Sequence, residues 1–284
     1  MNHTVLSVLR AAEGWLGQHD VDAPRRSAEL LLGKVLGLDR LQLYMQHDRP
    51  MTEQERDAMR ALTLRRGKHE PVAHLLGEWA FRGLDLEVSR EVLIPRPETE
   101  DLVDIALQAM PQGARVVDLG TGSGAIAIAI ASARPDVSVV AVDVSAHALA
   151  IATSNVNRHG LGPRVALRQG SWWQGCAGEA PFDVLVSNPP YVDPAQPEFL
   201  AADVREFEPP LALFSPPGDP AFCYRAIIAG VSEHLVSGGL VVMETGAGAD
   251  AAALAVLRAS ESLRDVELRK DLAGADRYLV ARRA

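Results

Sequence analysis

The sequence has few cysteines and no excess of basic residues, and each shortage excludes a class of protein. Two cysteines, Cys176 and Cys223, occur among 284 residues, which is too few for a disulfide framework. No Cys-x-x-Cys pair or cysteine–histidine cluster indicates a zinc site. Lysine and arginine total 28 against 37 aspartates and glutamates, so the net charge is −9. This balance opposes a protein that grips duplex DNA through many phosphates.

Long apolar runs are also missing. No stretch approaches the ~18 residues needed to span a bilayer, and Arg10 and Glu13 interrupt the first apolar segment. Because the N-terminus lacks a basic segment as well, we expect no signal peptide and no membrane partner. Two incidental thiols and an ordinary globular composition fit a reducing compartment. The sequence therefore predicts a cytoplasmic protein.

Residues 1–77 predict a small all-α domain of three or four short amphipathic helices. Apolar residues recur there every three or four positions. Asp22 is expected to cap the second helix, which has Pro24 in its first turn. Thr52 and Glu55 form a capping box at the start of the third helix, and Pro71 is expected to end it.

Residues 78–96 change to an alternating pattern of apolar and polar positions. Trp79, Phe81, Leu84 and Leu86 fit one face of a strand pair, and the apolar run 92–94 follows them. The pattern predicts a β-hairpin that links two domains.

Residues 97–284 alternate between helical and continuous apolar segments, which is typical of a parallel sheet covered on both faces. Pro97 suits the first turn of a helix. Strands are predicted at 115–119, 137–142, 165–168, 182–186, 240–243, 265–268 and 277–281, and helices at 125–133 and 146–157. The sequence thus predicts an α/β fold for this domain.

A glycine turn follows the first predicted parallel strand. It reads Gly120-Thr121-Gly122-Ser123-Gly124, directly before a helix. Glycine allows the tight turn and lets the backbone approach a ligand. Asp143 ends the next strand, where a carboxylate can accept hydrogen bonds from both hydroxyls of a ribose. The spacing is compatible with NAD. However, a carboxylate at Asp118 would repel a pyrophosphate and could orient a sulfonium group, which favours S-adenosylmethionine (SAM).

A second turn, Asn188-Pro189-Pro190-Tyr191, follows the strand predicted at 182–186. Ligands of open α/β sheets bind outside the carboxyl ends of the strands, so this turn is expected beside the glycine turn. The Asn188 side-chain carbonyl and the Pro189 backbone carbonyl can accept both hydrogens of a planar NH₂ group and hold it for methylation. Tyr191 can pack against a flat amide or base.

These motifs make the sequence resemble the HemK/PrmC family, the peptide-chain release factor glutamine N5-methyltransferases. The resemblance spans nearly the whole chain, and its most specific element is Ile-Pro-Arg-Pro-Glu-Thr-Glu at 94–100. It implies a Rossmann-like, seven-stranded SAM-dependent methyltransferase domain at 97–284, with the last strand antiparallel. We expect the helices of residues 1–77 to dock the substrate, and the hairpin at 78–96 to join them to that domain.

The resemblance implies methyl transfer to the glutamine of a Gly-Gly-Gln motif in class-1 release factors. A monomer is compatible with the sequence, and the negative net charge predicts no direct contact with nucleic acid. Residues 120–124, with Asp118 and Asn188, would contact SAM. Asp143 would hold its ribose, and Trp172 would lie near its adenine. Asn188, Pro189, Pro190 and Tyr191 would bind the glutamine, and Asn188, Pro189 and Tyr191 would be the catalytic set. Ser171 departs from the family, because an acidic residue often occupies that position.

Two other methyltransferase functions stay open at the level of sequence: modification of a ribosomal-protein glutamine, and N6-methylation of adenine in DNA. Adenine presents the same planar NH₂ group, but the negative charge and the lack of a basic target-recognition segment count against it. A dehydrogenase would leave the residues at 188–191 unexplained. His69, Glu70 and His74 have the wrong spacing for a metalloprotease helix, so no metal site is predicted. Arg96 fits a domain-linking ion pair and a site residue equally well.

Overall fold

The N-terminal part of the chain is helical. A computed structural model describes residues 3–196 and 200–284, and the chain divides into two compact units, Met1–Glu78 and Trp79–Ala284. Within the described part of the first unit, the helices are α1 (Val5–Gly17), α2 (Pro24–Leu36), α3 (Arg40–Met45), α4 (Glu53–Arg66) and α5 (Val72–Leu76). Their apolar faces meet in one core that includes Leu9, Leu16, Leu31, Leu32 and Met59.

Helix ends in this unit differ in two places from the sequence prediction. Asp22 does not cap α2, because Ala23 occupies the N-cap with a φ of 45° and no side-chain hydrogen bond. Helix α4 ends at Arg66, before Pro71, and Pro71 instead precedes α5. The capping box of Thr52 and Glu55 is confirmed: each side chain accepts a hydrogen bond from the other residue's backbone N–H.

A short hairpin comes next. Its strands, β1 (Glu78–Phe81) and β2 (Leu84–Glu87), form a two-stranded sheet. The prediction extended the hairpin too far, since residues 92–94 lie outside any strand. Ile94 instead donates its backbone N–H to a carboxylate oxygen of Glu208, 3.0 Å away. A side chain distant in sequence therefore takes the place of a strand partner.

The remainder alternates helices and strands, as predicted. The helices are α6 (Pro97–Ala109), α7 (Ala125–Ala133), α8 (Ala146–Arg158), α9 (Ala202–Phe207), α10 (Pro210–Leu213), α11 (Phe222–Ala229), α12 (Val231–His234) and α13 (Asp250–Ala259), and Trp172–Cys176 forms a 3-10 turn. The strands are β3 (Arg115–Leu119), β4 (Ser138–Asp143), β5 (Val165–Gln169), β6 (Phe182–Ser187), β7 (Leu235–Glu244), β8 (Leu263–Lys270) and β9 (Asp276–Arg283).

Those seven strands form one sheet in the order β5-β4-β3-β6-β7-β9-β8. The pairings among β5, β4, β3, β6 and β7 are parallel, whereas β9, the last strand of the chain, runs antiparallel to β7 and β8. Apolar side chains pack on both faces of the sheet, which explains the continuous apolar strands. The predicted seven-stranded fold is confirmed.

The order of the strands positions a site. From β3 the chain proceeds outward to β4 and β5, and then returns to place β6 on the other side of β3. Asp118 of β3 pairs in register with Val186 of β6. Because the strands are parallel, the turns that follow them emerge side by side at this reversal, where open α/β sheets bind ligands.

Candidate active site

A cavity of about 710 Å³ opens at the carboxyl ends of the central strands. The glycine turn, the end of β4 and the turn after β6 all contribute to its wall, as does the loop before α6. Such a volume is within the usual range for small-molecule sites. The two motifs that the sequence singled out therefore face one shared space.

Backbone hydrogen bonds hold the glycine turn in shape. The N–H groups of Gly120 and Thr121 both donate to the carbonyl of Val142, at 2.9 and 3.0 Å. Gly120 and Gly122 have φ angles of +79° and +56°, a region that L side chains rarely adopt. Both glycines line the cavity, so the turn offers backbone rather than side chains to a ligand.

Asp143 connects this turn to the end of β4. Its Oδ2 accepts the N–H of Gly122 at 2.8 Å, and its Oδ1 accepts the N–H of Ser145 at 2.9 Å. Burial raises the pKa of the carboxyl, and the backbone hydrogen bonds oppose that rise. Each carboxylate oxygen keeps a further lone pair for a ligand hydroxyl, and the side chain is on the cavity wall.

Asp118 lies beneath the turn. It is fully buried, and its Oδ2 accepts the hydroxyl proton of Thr121 at 2.6 Å. Burial raises the pKa of this carboxyl to about 7, although the bond from Thr121 opposes the shift. Thr121 is part of the cavity lining and Asp118 is not. The structure thus places Asp118 where it supports the turn through Thr121.

The two adjacent tryptophans contact different parts of the domain. Trp172 lines the cavity with a backbone φ of +49°, and its ring is 3.7 Å from where a Cβ on Gly120 would stand. Trp173 donates its Nε1–H to the carbonyl of Ile227 at 2.7 Å and stacks on His234. A flat ring is therefore held over the glycine turn by a neighbour that is anchored in the core.

The turn after β6 divides between cavity and core. Asn188 and Pro190 line the cavity, whereas Pro189 is buried. The Tyr191 ring packs on Gly246, where a Cβ would come within 2.7 Å of it. Burial raises the pKa of the Tyr191 phenol to about 12. The structure brings Asn188 into the same cavity as Asp143 and sets Tyr191 behind the turn.

Sequence reasoning did not single out the buried acids near this cavity as site residues. Glu208, 3% exposed, receives an N–H of Arg96 at 2.5 Å and the backbone N–H of Ile94. Glu244, at the carboxyl end of β7, accepts the hydroxyl proton of Thr99 at 2.7 Å. Glu244 ends β7, the strand next to β6, and ligands of open α/β sheets bind at the ends of strands. Its position in the sequence could therefore have indicated a site residue. Arg96 is both an ion-pair partner and a cavity residue.

The predicted site residues fall into two groups in the structure. Those on the cavity wall are Gly120, Thr121, Gly122, Ser123, Asp143, Trp172, Asn188 and Pro190. Those outside the lining are Asp118, Gly124, Pro189 and Tyr191. Among residues 3–196 and 200–284, no group of three or more histidines, cysteines and acids is arranged to hold a metal. Across the same residues, no helix has the length and apolarity to cross a membrane.

The cavity fits SAM on observations of its own. Gly120 and Gly122 present backbone without a Cβ, Asp143 presents a carboxylate at the strand end, and Trp172 presents a flat ring. These are the surfaces that the methionine part, the ribose and the adenine of SAM require. The residues present therefore match the shape and the polarity of this cofactor.

Comparisons with known proteins give the same answer. A model of the PrmC N-terminal domain matches residues 7–77, and a model of the methyltransferase small domain matches residues 100–204. The release factor glutamine methyltransferase of Nitratidesulfovibrio vulgaris is 42% identical over 99% of this chain and 95% of its own. The release factor glutamine methyltransferase of Xylella fastidiosa is 44% identical over 91% of this chain and 93% of its own.

Solved structures share the fold. A methyltransferase from Pyrococcus furiosus superimposes with a TM-score of 0.51 at 18% identity, covering 79% of this chain and 96% of its own. A ribosomal protein L11 methylase from Lactobacillus delbrueckii subsp. bulgaricus reaches 0.50 at 22% identity, covering 69% and 83%.

The sheet order, the glycine-lined cavity and the matching domain model together define a SAM-dependent methyltransferase. Its full-length similarity to the curated relatives is far above what a shared fold alone produces. The chain belongs to the release factor glutamine methyltransferase family. The family, the enzyme class and the cofactor predicted from the sequence are confirmed.

Proposed function

We propose that this enzyme methylates the side-chain nitrogen, N5, of the glutamine in the Gly-Gly-Gln motif of class-1 release factors. It would do so as a cytoplasmic monomer in translation termination. The observation that carries this proposal is the position of Asn188, whose side chain shares one cavity with the glycine turn and Asp143. The similarity to release factor glutamine methyltransferases supports the release factor as the substrate.

An amide nitrogen is a poor nucleophile because its lone pair is delocalised. When bound, SAM supplies a methyl group on a positively charged sulfur. The Oδ1 of Asn188 accepts one amide hydrogen. Pro189 is buried outside the cavity lining, and we assign the other hydrogen to its backbone carbonyl, which lies between Asn188 and Pro190 of the wall. The two bonds orient the nitrogen and stabilise the positive charge that develops on it. Pro190 adds apolar surface on the cavity wall for the flat amide.

No side chain has to act as a general base in this proposal. Once methylated, the amide nitrogen is strongly acidic and releases its extra proton to water. Glu208 is engaged with Arg96 and Ile94, which suits a supporting role. The two glycines that precede the target glutamine leave its side chain free to enter a narrow pocket.

We assign docking of the release factor to the helical unit, and the proposed domain limits stay 1–77, 78–96 and 97–284. The family model of the N-terminal domain ends at residue 77, and the first compact unit ends at Glu78. The cavity described above is lined entirely by residues of the second unit, so the helices are available for another task.

The substrate assignment is tested by supplying radiolabelled SAM with a release factor, a ribosomal protein and duplex DNA in parallel reactions. We expect label on the release factor only, and none on a release factor whose Gly-Gly-Gln glutamine is changed to alanine. Label on the ribosomal protein or on adenine, with the release factor unmodified, would overturn the assignment.

The clamp is tested by Asn188→Ala. We expect turnover to fall by about 100-fold or more, as when a preorganised polar partner of a transition state is removed, with SAM affinity within a few-fold of the original. Asn157→Ala, at an exposed position of α8, is the matched control. An Asn188→Ala enzyme with half the original rate would refute the clamp.

A further inference from the structure

Thr99 lies in the family-specific segment 94–100, yet it has no role in the methyl transfer proposed for Asn188. It is 5% exposed and lies on the cavity wall. We propose that Thr99 is a positioning residue: its hydroxyl determines which end of the Asn188 side-chain amide, Oδ1 or Nδ2, faces the substrate. This inference rests on the proposed role of Asn188.

The contacts form a chain of three side chains from three elements. The Nδ2 of Asn188 donates to the Oγ1 of Thr99 at 3.4 Å, and Thr99 donates its hydroxyl proton to Oε2 of Glu244 at 2.7 Å. Glu244 is 2% exposed. The first contact is long for a hydrogen bond, so it sets an orientation more than it adds stability.

The direction of this chain follows from the donors available. An ionised carboxylate only accepts, so the single hydroxyl proton of Thr99 is committed to Glu244. Thr99 can then only accept from Asn188, which brings Nδ2 to Thr99 and leaves Oδ1 for another partner. The partner that needs an acceptor in the proposed reaction is the NH₂ group of the substrate. With the amide turned over, Nδ2 would face that group donor to donor.

Thr99 is itself held in place. Its backbone N–H donates to the carbonyl of Arg96 at 3.1 Å, and Arg96 is ion-paired with the buried Glu208. The segment therefore cannot easily move the hydroxyl away from Asn188. This gives the Pro-Arg-Pro-Glu-Thr sequence at the start of α6 a physical role at the site.

The test compares Thr99→Val, which keeps the shape and removes the hydroxyl, with Thr99→Ser, which keeps the hydroxyl. Assays at about pH 8.5 keep Glu244 ionised, since burial raises its pKa to about 7. We expect Thr99→Val to lower kcat by about 10- to 100-fold, as misoriented catalytic groups do, with SAM affinity unchanged. Thr99→Ser should recover at least half of the original kcat.

If valine disturbs the fold, Thr99→Ala allows the same comparison with serine. A kcat for Thr99→Val or Thr99→Ala within two-fold of the original overturns the proposal. So does an equal loss in Thr99→Ser, because that would show a need for the methyl group rather than the hydroxyl.

A double-mutant cycle with Asn188→Ala separates this inference from the proposed function. If Thr99 acts through Asn188, Thr99→Val adds no further loss in the Asn188→Ala background. Multiplied losses overturn the positioning role and leave the clamp intact. An active Asn188→Ala enzyme overturns the clamp itself, and the positioning role with it.

Discussion

The carboxylates of Asp143 and Asp118 have different roles because their surroundings differ. Asp143 faces the cavity and accepts two backbone N–H groups, which leaves it able to bind hydroxyls. Asp118 is fully buried beneath the same turn and accepts a hydrogen bond from the hydroxyl of Thr121. The first carboxylate is therefore accessible from the cavity, whereas the second supports the turn from beneath.

We predict that Asp143→Ala weakens SAM binding by about 10- to 100-fold. Hydrogen bonds to a charged acceptor are worth about 1.5–3 kcal/mol, and the substitution also frees the Gly122 N–H. Calorimetric titration measures the affinity. Asp136→Ala is the control, because Asp136 also accepts a backbone N–H, from Gly113, but lies outside the cavity lining. Unchanged affinity in Asp143→Ala would remove this residue from the site.

Asp118 gives a prediction about pH. Its pKa is about 7 in the folded chain and near 3.8 when exposed. Between those values the folded chain holds a proton that the unfolded chain has lost, so the contribution of Asp118 to stability falls as pH rises and levels off above about 7.

The Tm of the original protein minus that of Asp118→Asn should therefore decrease from about pH 4.5 to pH 7.5. Thermal melts across that range measure it. The same melts of Asp22→Asn, at an exposed position of the helical unit, give the comparison for an aspartate removed from the surface. If the Tm difference between the original protein and Asp118→Asn grows with pH instead, the raised pKa of Asp118 in the folded chain is contradicted.

Among the elements, the join between β3 and α7 is the most constrained. Gly124 is the N-cap of α7 with a φ of +84°, and a Cβ there would lie 3.0 Å from Cδ1 of Ile128 and 3.4 Å from Cβ of Ala152. The backbone conformation disfavours a side chain there, and a Cβ would also require Ile128 of α7 and Ala152 of α8 to shift. The last glycine of the turn therefore also serves the start of the helix.

Gly124→Ala should destabilise the protein more than Gly160→Ala does. Gly160 has a φ of +66° with open space where its Cβ would be. Gly160→Ala therefore costs only the strain of a left-handed residue, about 1–2 kcal/mol. Gly124→Ala adds overpacking, typically about 1–3 kcal/mol. Denaturant titrations of the two variants give the comparison, and equal losses would show that the packing around α7 adapts freely.

At the scale of the whole molecule, two units divide the chain. The first has a core of its own, and the cavity belongs wholly to the second. Such an arrangement suits an enzyme in which one part binds a large substrate and the other performs the chemistry.

A chain shortened to residues 78–284 should fold and bind SAM, but methylate the release factor poorly. The reason is that the proposed docking unit has been removed while every cavity residue is kept. Calorimetry with SAM is the control for folding, and the labelling assay measures activity. Full activity of the shortened chain would show that the helical unit does not bind the substrate.

Much of the sheet and of the cavity wall could be predicted from the sequence. The strand 115–119 and the helix 125–133 match β3 and α7 residue for residue, since a buried strand, a glycine turn and an apolar helix are all local patterns. Asn188 and Asp143 followed from the rule that ligands bind at strand ends.

The supporting residues required the tertiary structure. Thr99 meets Glu244 across 145 positions, and Arg96 meets Glu208 across 112; a threonine or a glutamate in a helix or strand carries no local sign of such a partner. Tyr191 directly follows Pro190 and is three positions after Asn188, yet its ring lies behind the turn, because Gly246 leaves space there. Periodicity and turn chemistry act between neighbours, so the sequence by itself determined the elements and the strand-end motifs. Only packing between distant segments decided which side chains face the cavity and what holds them there.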